Sequence, residues 1–257
     1  MSLRLTPPLR ADIAAARRPL AGIWVCSGSP LVAEICAGAG MDWLLIDMEH
    51  CPNGLEGTLA QLQAVAAYVT TPVVRVPTND TVVIKQVLDL GAQNILVPMV
   101  SSADEAVAAV EAVRYPPRGR RGVGSALARS ARWNRVDDYL RRADEHVSLF
   151  VQIETPAGVA AASAIAAVDG VDGVFVGPSD LAAAIGRIGE PAHPEVQALV
   201  RRAHELCAAS NVACGSIAGS ADGVRQLREY GANFLALGTD MMLLQNALQA
   251  RLDEVRI

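Results

Sequence analysis

The amino-acid sequence predicts a (β/α)8 TIM barrel, an α/β fold of eight parallel strands ringed by helices. Three observations carry this reading. Eight short, continuously apolar runs recur along the chain, as expected of strands buried on both faces. Amphipathic helical patterns separate them. The whole fits into 257 residues, close to the length at which eight βα units close on themselves. An open doubly wound sheet is the competing architecture, and length and strand count favour the barrel.

In chain order, the first strand is expected at residues 22–25 and the second at 43–46. The third, 73–76, precedes a helix at 81–90 with Val83, Ile84, Val87 and Leu88 on one face. The fourth, 95–98, precedes a helix at Ala103–Val113. Ser101 or Ser102 suits its N-cap, and Asp104 and Glu105 suit its first turn. The segment 115–134 (YPPRGRRGVGSALARSARWN) is too long for an ordinary connection and reads as functional or interface-forming. The fifth strand is expected at 149–153 and the sixth at Gly173–Val176, with a short helix at 181–185. A helix at 194–208 leads to the seventh strand, Ala213–Ile217, and one at 220–230 to the eighth, 234–237. The last helix, 241–255, aligns Met241, Leu244, Leu248, Leu252 and Val255. No later element covers that stripe, so it is expected to pack on a neighbouring subunit. No Pro- or Ser-rich linker interrupts the pattern, which gives one domain over residues 1–257.

Composition excludes several classes. Hydrophobic residues make up 51% and charged residues 19%, enough for a sizeable core and unlike a disordered chain. Aromatics are only 4%, so small and branched aliphatics must fill most of the interior. The net charge is −5 without a basic stripe, which argues against a nucleic-acid partner. The five cysteines, Cys26, Cys36, Cys51, Cys207 and Cys214, form no CxxC pair. A disulfide framework and a structural zinc site are therefore not expected. Residues 1–10 lack an apolar leader, and the longest apolar stretch, 157–168, is too short to span a bilayer. A soluble, cytoplasmic protein without a membrane partner is expected.

Polar residues mark one end of the expected barrel. The second strand runs into Asp47-Met48-Glu49-His50, the third carries Arg75, the fifth ends in Gln152-Ile153-Glu154, and the sixth runs into Gly177-Pro178-Ser179-Asp180. Taken singly, each is a strand-end residue facing solvent. Together they converge on the C-terminal mouth, where barrels of this type carry their sites. Glu154 and Asp180 are carboxylates without a thiolate or histidine pair, and as ligands they suit Mg²⁺ or Mn²⁺. Ser179 and Asp180 stand at a helix start that suits a carboxylate or phosphate, or simply cap it. His50, flanked by carboxylates, suits acid or base work. Arg75 suits fixed stabilisation of an anion. His146 reads as surface, His193 as loop, and His204 and Cys207 as structural. The run GRRGVG at 119–124 follows no strand and has no Walker lysine, so nucleotide binding is rejected.

In order along the chain, LLIDMEH, VVRVPTND, IKQVLDLGAQNILVPMV, YPPRGRRGVGSALARSARW, QIETPAG and DGVFVGPSDLA resemble the HpcH/HpaI family of metal-dependent (class II) 2-keto-acid aldolases. The resemblance runs from about Leu20 to about Leu244. It implies a barrel that binds pyruvate on Mg²⁺, Mn²⁺ or Co²⁺, with Glu154 and Asp180 as metal ligands. It implies His50 as the base and Asp89 as its partner. Arg75 would bind the pyruvate oxygens, and Gln152 would orient substrate or water. The backbone of Ser179 and Asp180 would hold the carboxylate, and Trp24 would line the pocket. A homohexamer built from trimers is also implied. Met48 and Cys51 stand where some members carry smaller residues, which bears on the aldehyde accepted, as does the segment around Ser216 and Ile217.

The reaction so implied is reversible cleavage of a 4-hydroxy-2-oxo acid to pyruvate and an aldehyde. A Schiff-base aldolase would need a lysine inside the barrel, and Lys85, the only lysine, falls on the helix after the third strand. A citryl- or malyl-CoA lyase would share the carboxylates, but the chain shows no evident CoA-binding extension. A non-catalytic keto-acid-binding barrel would not need the base, the arginine and both carboxylates together.

Overall fold

The apolar runs close, in the computed structural model, into a barrel of parallel strands ordered β1 to β8, with β8 paired back on β1. The structure describes residues 5–256, so the reading of residues 1–10 as lacking a leader lies partly outside the described residues. Helix α1 (Leu9–Ala15) precedes β1 (Leu20–Val25). Then come α2 (Pro30–Gly38), β2 (Trp43–Asp47), α3 (Leu55–Ala64), β3 (Thr71–Arg75), α4 (Thr81–Asp89), β4 (Asn94–Val97) and α5 (Ala103–Val113). A long irregular segment holding the short α6 (Tyr139–Arg142) leads to β5 (Ser148–Ile153). The short α7 (Pro156–Ala160) and α8 (Ala162–Ala166) connect to β6 (Gly173–Val176), followed by α9 (Pro178–Ala184) and α10 (Pro194–Ala209). The chain ends through β7 (Ala213–Ile217), α11 (Ala221–Glu229), β8 (Phe234–Thr239) and α12 (Asp240–Asp253). Every expected strand is present, with bounds within two residues of those expected.

Strand alternation sorts side chains between two apolar layers. Outward residues such as Leu44, Ile46, Val74, Ile95, Val151 and Val174 pack under the helices. Inward residues form a second cluster from Leu20, Trp24, Trp43, Val73, Leu96, Phe150, Phe175 and Phe234. All three phenylalanines and two of the three tryptophans are therefore inside the barrel. Phe150–Phe234 and Trp24–Phe175 ring centroids lie 5.3 and 5.0 Å apart, each pair adding roughly 0.5–1.5 kcal/mol beyond its area burial. Leu9 of α1 joins this cluster, and its backbone N–H donates to Asn94 Oδ1 at 2.7 Å. Helix α1 thus packs against the apolar half of the interior and leaves the polar half at the opposite end.

Three connections bear on the site. Ser102 caps α5 by accepting from the Glu105 N–H, and Glu105 Oε2 accepts from the Ser101 N–H at 2.6 Å, a reciprocal capping arrangement. The 115–134 segment is anchored by Arg121, which is fully buried. Its guanidinium lies 4.5 Å over the Tyr115 ring, 3.2 Å from Tyr139 Oη and 3.6 Å from Asp89. On α12 only Asp240 is buried; Leu244 and Leu248 are 57% and 63% exposed. No helix among the described residues is long and apolar enough to cross a membrane.

Candidate active site

Inward positions are apolar in the lower half of the barrel and polar at the strand C-termini. Asp47 and Arg75 are register partners on β2 and β3, so both side chains enter the mouth next to each other. Arg75 Nε donates to Asp47 Oδ1 and Nη2 to Oδ2, each at 2.7 Å. Its Nη1 lies 2.7 Å from Glu49 Oε2, and its carbon Cζ sits 5.2 Å over the Trp24 ring. The guanidinium is held from two sides and from below, and both Arg75 and Asp47 are buried. Burial pushes the Asp47 carboxyl up, but the Arg75 fork and the Glu49 N–H outweigh it and hold it below the usual range.

Glu154 follows β5 and is 2% exposed. Gln152 Nε2 donates to its Oε1 at 2.5 Å, and the Met99 N–H to its Oε2 at 2.9 Å. Burial, together with the charges of Asp180 and Glu49, raises the Glu154 carboxyl to about 7, against the pull of the Met99 N–H and Arg75. Glu49 is raised in the same way, by burial first, and by Asp47 and Asp180. The mouth therefore gathers four carboxylates, Asp47, Glu49, Glu154 and Asp180, around one guanidinium. Gln152 Oε1 is buried there without a partner. A surplus of hard oxygen donors and one free acceptor suit a divalent cation of the Mg²⁺ or Mn²⁺ type. A cavity of about 540 Å³ opens beside Glu49 and Met99, lined also by Pro77, Asn79 and Asp104.

The structure brings together Trp24, Arg75, Gln152, Glu154 and Asp180. Ser179 lies exposed with Asp180 in the first turn of α9, and neither side chain caps that helix, so the capping alternative is set aside. His50 is at the mouth but points outward, 65% exposed and 3.9 Å from Glu49. Asp89 is not beside it. Helix α4 begins after β3 at the mouth and ends at Asp89, before β4 starts, so Asp89 sits at the far end of the barrel against Arg121. Ser216 faces outward: it is buried and donates to the Val176 carbonyl at 2.8 Å, which makes it a barrel residue, while Ile217 packs against the inner cluster. Lys85 lies outside the barrel beside Gly122. His146 is half-buried rather than at the surface, its ring stacked parallel to Tyr139 at 6.0 Å. His193 caps α10 through its Nδ1, and His204 is buried with Nδ1 2.9 Å from the Val200 carbonyl.

Two site residues escape sequence reasoning. Met99 adopts a left-handed backbone (φ 58), an uncommon conformation for a side-chain-bearing residue, and its N–H reaches Glu154. Gly177 packs against the same carboxylate: a Cβ there would lie 2.6 Å from Glu154 Oε1 and 3.0 Å from Gln152 Nε2.

Comparison with known proteins agrees with this geometry. Residues 20–247 match the family described as HpcH/HpaI aldolase/citrate lyase. A hydroxypyruvate/pyruvate aldolase of Delftia acidovorans is 49% identical over 97% of this chain and 92% of its own. A 4-hydroxy-2-oxo-heptane-1,7-dioate aldolase of Escherichia coli is 51% identical over 91% of this chain and 90% of its own. The crystal structure of an HpcH/HpaI aldolase/citrate lyase family protein from Burkholderia cenocepacia superposes with a TM-score of 0.94 at 39% identity, covering 98% of this chain and 100% of that one. Barrel, mouth and relatives together define a carbon–carbon lyase of the aldolase class. The chain belongs to the HpcH/HpaI aldolase family.

Proposed function

We propose that the protein cleaves a 4-hydroxy-2-oxo acid reversibly to pyruvate and an aldehyde, with a divalent cation held by Glu154 and Asp180. The observation that carries this is the buried Glu154 carboxyl, raised to about 7 among neighbouring carboxylates and a short distance from a clamped arginine. Such a cation, when bound, supplies Lewis-acid stabilisation of the negative charge that develops as the C3–C4 bond breaks. Gln152 and the Met99 N–H hold Glu154 in place, and the free Gln152 Oε1 accepts from water or substrate.

Arg75 faces the pyruvyl oxygens as a fixed positive charge. Asp47 and Glu49 hold its plane, so little reorganisation accompanies the reaction. The backbone N–H groups of Ser179 and Asp180 receive the substrate carboxylate, and Trp24 closes the floor. His50 takes the C4 hydroxyl proton on cleavage and returns it on addition. In one chain Asp89 stands at the other end of the barrel, so its pairing with His50 is assigned to a second copy. The exposed stripe of α12 supports such an assembly, a hexamer in this reading. Met48, Cys51 and the cavity beside Met99 border the space left for the aldehyde.

The test is a panel of 4-hydroxy-2-oxo acids assayed for pyruvate release by chelator-treated protein with Mg²⁺, Mn²⁺ or Co²⁺ added back. Metal-dependent release supports the reading. Full activity in excess chelator, or turnover of a CoA ester with none of the keto acids, overturns it.

A further inference from the structure

Two thiols flank the clamp that holds Arg75, and the mechanism uses neither. Cys26 follows β1 and Cys51 follows β2, both half-buried at the mouth. Their Sγ atoms and a carboxylate oxygen of Asp47 all lie within 4.8 Å of one another. We propose that Cys26, Cys51 and Asp47 form a second cation site, specific for thiophilic divalent ions such as Zn²⁺ or Cd²⁺, whose occupancy inhibits the enzyme by loosening Arg75.

The ligand set is distinct from the oxygen set at Glu154 and Asp180. Two sulfurs and one oxygen select soft or borderline ions, whereas oxygen donors alone select Mg²⁺ or Mn²⁺. Tetrahedral coordination at zinc bond lengths separates two sulfurs by about 3.8 Å and sulfur from oxygen by about 3.6 Å. The Cys51 Sγ to Asp47 Oδ2 distance is already 3.2 Å, so the three ligands close on an ion by side-chain rotation on the order of 1 Å. A fourth position is left for water.

The bonds around Asp47 show where the ion enters. Oδ1 accepts from Arg75 Nε and from the Glu49 N–H at 3.0 Å; Oδ2 accepts from Arg75 Nη2 and from the Cys51 thiol. Three of these donors are fixed, and the thiol proton is the exchangeable one. Binding M²⁺ with two thiols releases two protons and forms two metal–sulfur bonds. The two thiolates, Asp47, Arg75 and the ion then sum to zero charge. In the metal-free protein burial raises the Cys26 thiol to about 11, and burial and the Asp47 carboxylate raise Cys51 further. Both therefore stay protonated and slow toward oxidants, while a bound cation deprotonates them outright. The ion draws Oδ2 toward itself and away from Arg75 Nη2, adding positive charge on the guanidinium's own side.

Cys207 and Cys214 also lie near each other, but both are buried in the core with no carboxylate in the group, so they provide an internal contrast. The experiment titrates chelator-treated protein with Cd²⁺, following the ultraviolet sulfur-to-cadmium charge-transfer band and proton release. The expected result is one Cd²⁺ per chain with two protons released, and a band kept in Glu154→Gln but lost in both Cys26→Ser and Cys51→Ser. In Mg²⁺-supported assays, Zn²⁺ inhibition relative to each protein's own zinc-free rate should weaken at least tenfold in the two serine variants. No band in wild-type protein, or an unchanged band in the two serine variants, overturns the site. Equal zinc sensitivity in all three proteins overturns its inhibitory role. These outcomes are separable from failure of the aldolase reading, because the band needs no substrate.

Discussion

Replacing Gly177 by alanine adds one methyl group beside the Glu154 carboxylate. The backbone at Gly177 has φ −95 and ψ 99, a region open to any residue, so the change carries no conformational strain of its own. The new Cβ would stand 2.6 Å from Glu154 Oε1 and 2.8 Å from its Cγ. Ordinary contact for a Cβ begins near 3.4 Å, so Glu154 must retreat by roughly 0.8 Å, and Gln152, 3.0 Å away, restricts the escape. Overpacking of this size costs about 1–3 kcal/mol, which a barrel of this size survives. A misplacement near 1 Å at a catalytic group lowers rate by about 10²-fold. Gly177→Ala should therefore fold, lose about two orders of magnitude in kcat, and bind Mn²⁺ more weakly. Circular dichroism, pyruvate-release kinetics and Mn²⁺ titration read these three quantities. Wild-type kcat together with wild-type Mn²⁺ affinity would refute the placement of Glu154 as a metal ligand held against Gly177.

The remaining predictions follow from other contacts. Arg75→Lys keeps a charge but loses the planar fork to Asp47 and Glu49; it should weaken pyruvate binding and lower both cleavage and pyruvate methyl deuterium exchange by about 10²-fold or more. Wild-type values in both assays would make Arg75 a structural residue. His50→Ala should depress cleavage by about two to four orders of magnitude while pyruvate binding is largely retained, as equilibrium binding can show. Burial lowers the His204 pKa, so the folded protein binds this proton less readily than the unfolded chain. Stability present above about pH 6.5 should fall as the pH drops through the unfolded value, by at most about 1.4 kcal/mol per pH unit from this group. His204→Gln should flatten that slope in urea titrations at pH 7.5 and 5.5; an unchanged slope would assign it to other groups. Leu248→Lys on the exposed stripe of α12 should shift an oligomer toward smaller species in light scattering, and a wild-type monomer at micromolar concentration would contradict the assembly.

The strands were legible because both faces of each are buried, which leaves a run of apolar residues without a gap. Helices that do not follow an apolar stripe were not. Helix α2 turns Ala33 and Ala37 inward and leaves Leu31 and Ile35 exposed at 66% and 64%, reversing the usual pattern. Helix α1 buries one residue, Leu9, too little for a period. At the mouth, carboxylates at strand ends stood out because charge is rare on buried strands. What they do to one another was not visible. That Asp47 clamps Arg75 depends on the register of β2 against β3, and that Met99 and Gly177 serve Glu154 depends on a backbone N–H and a missing side chain. The resemblance paired His50 with Asp89, yet α4 carries Asp89 the length of the barrel away from the mouth. A pattern along one chain does not distinguish contacts within it from contacts between copies.

Glu154→Gln tests the central claim most directly, since it keeps the size of the side chain and removes its charge. The measurement is the rate of pyruvate release from 4-hydroxy-2-oxoheptanedioate with excess Mg²⁺, for wild-type and variant protein of matched thermal stability. Loss of several kcal/mol of charge stabilisation corresponds to a fall of about 10³-fold, and that is the result predicted. A variant that releases pyruvate within a fewfold of the wild-type rate would contradict the account.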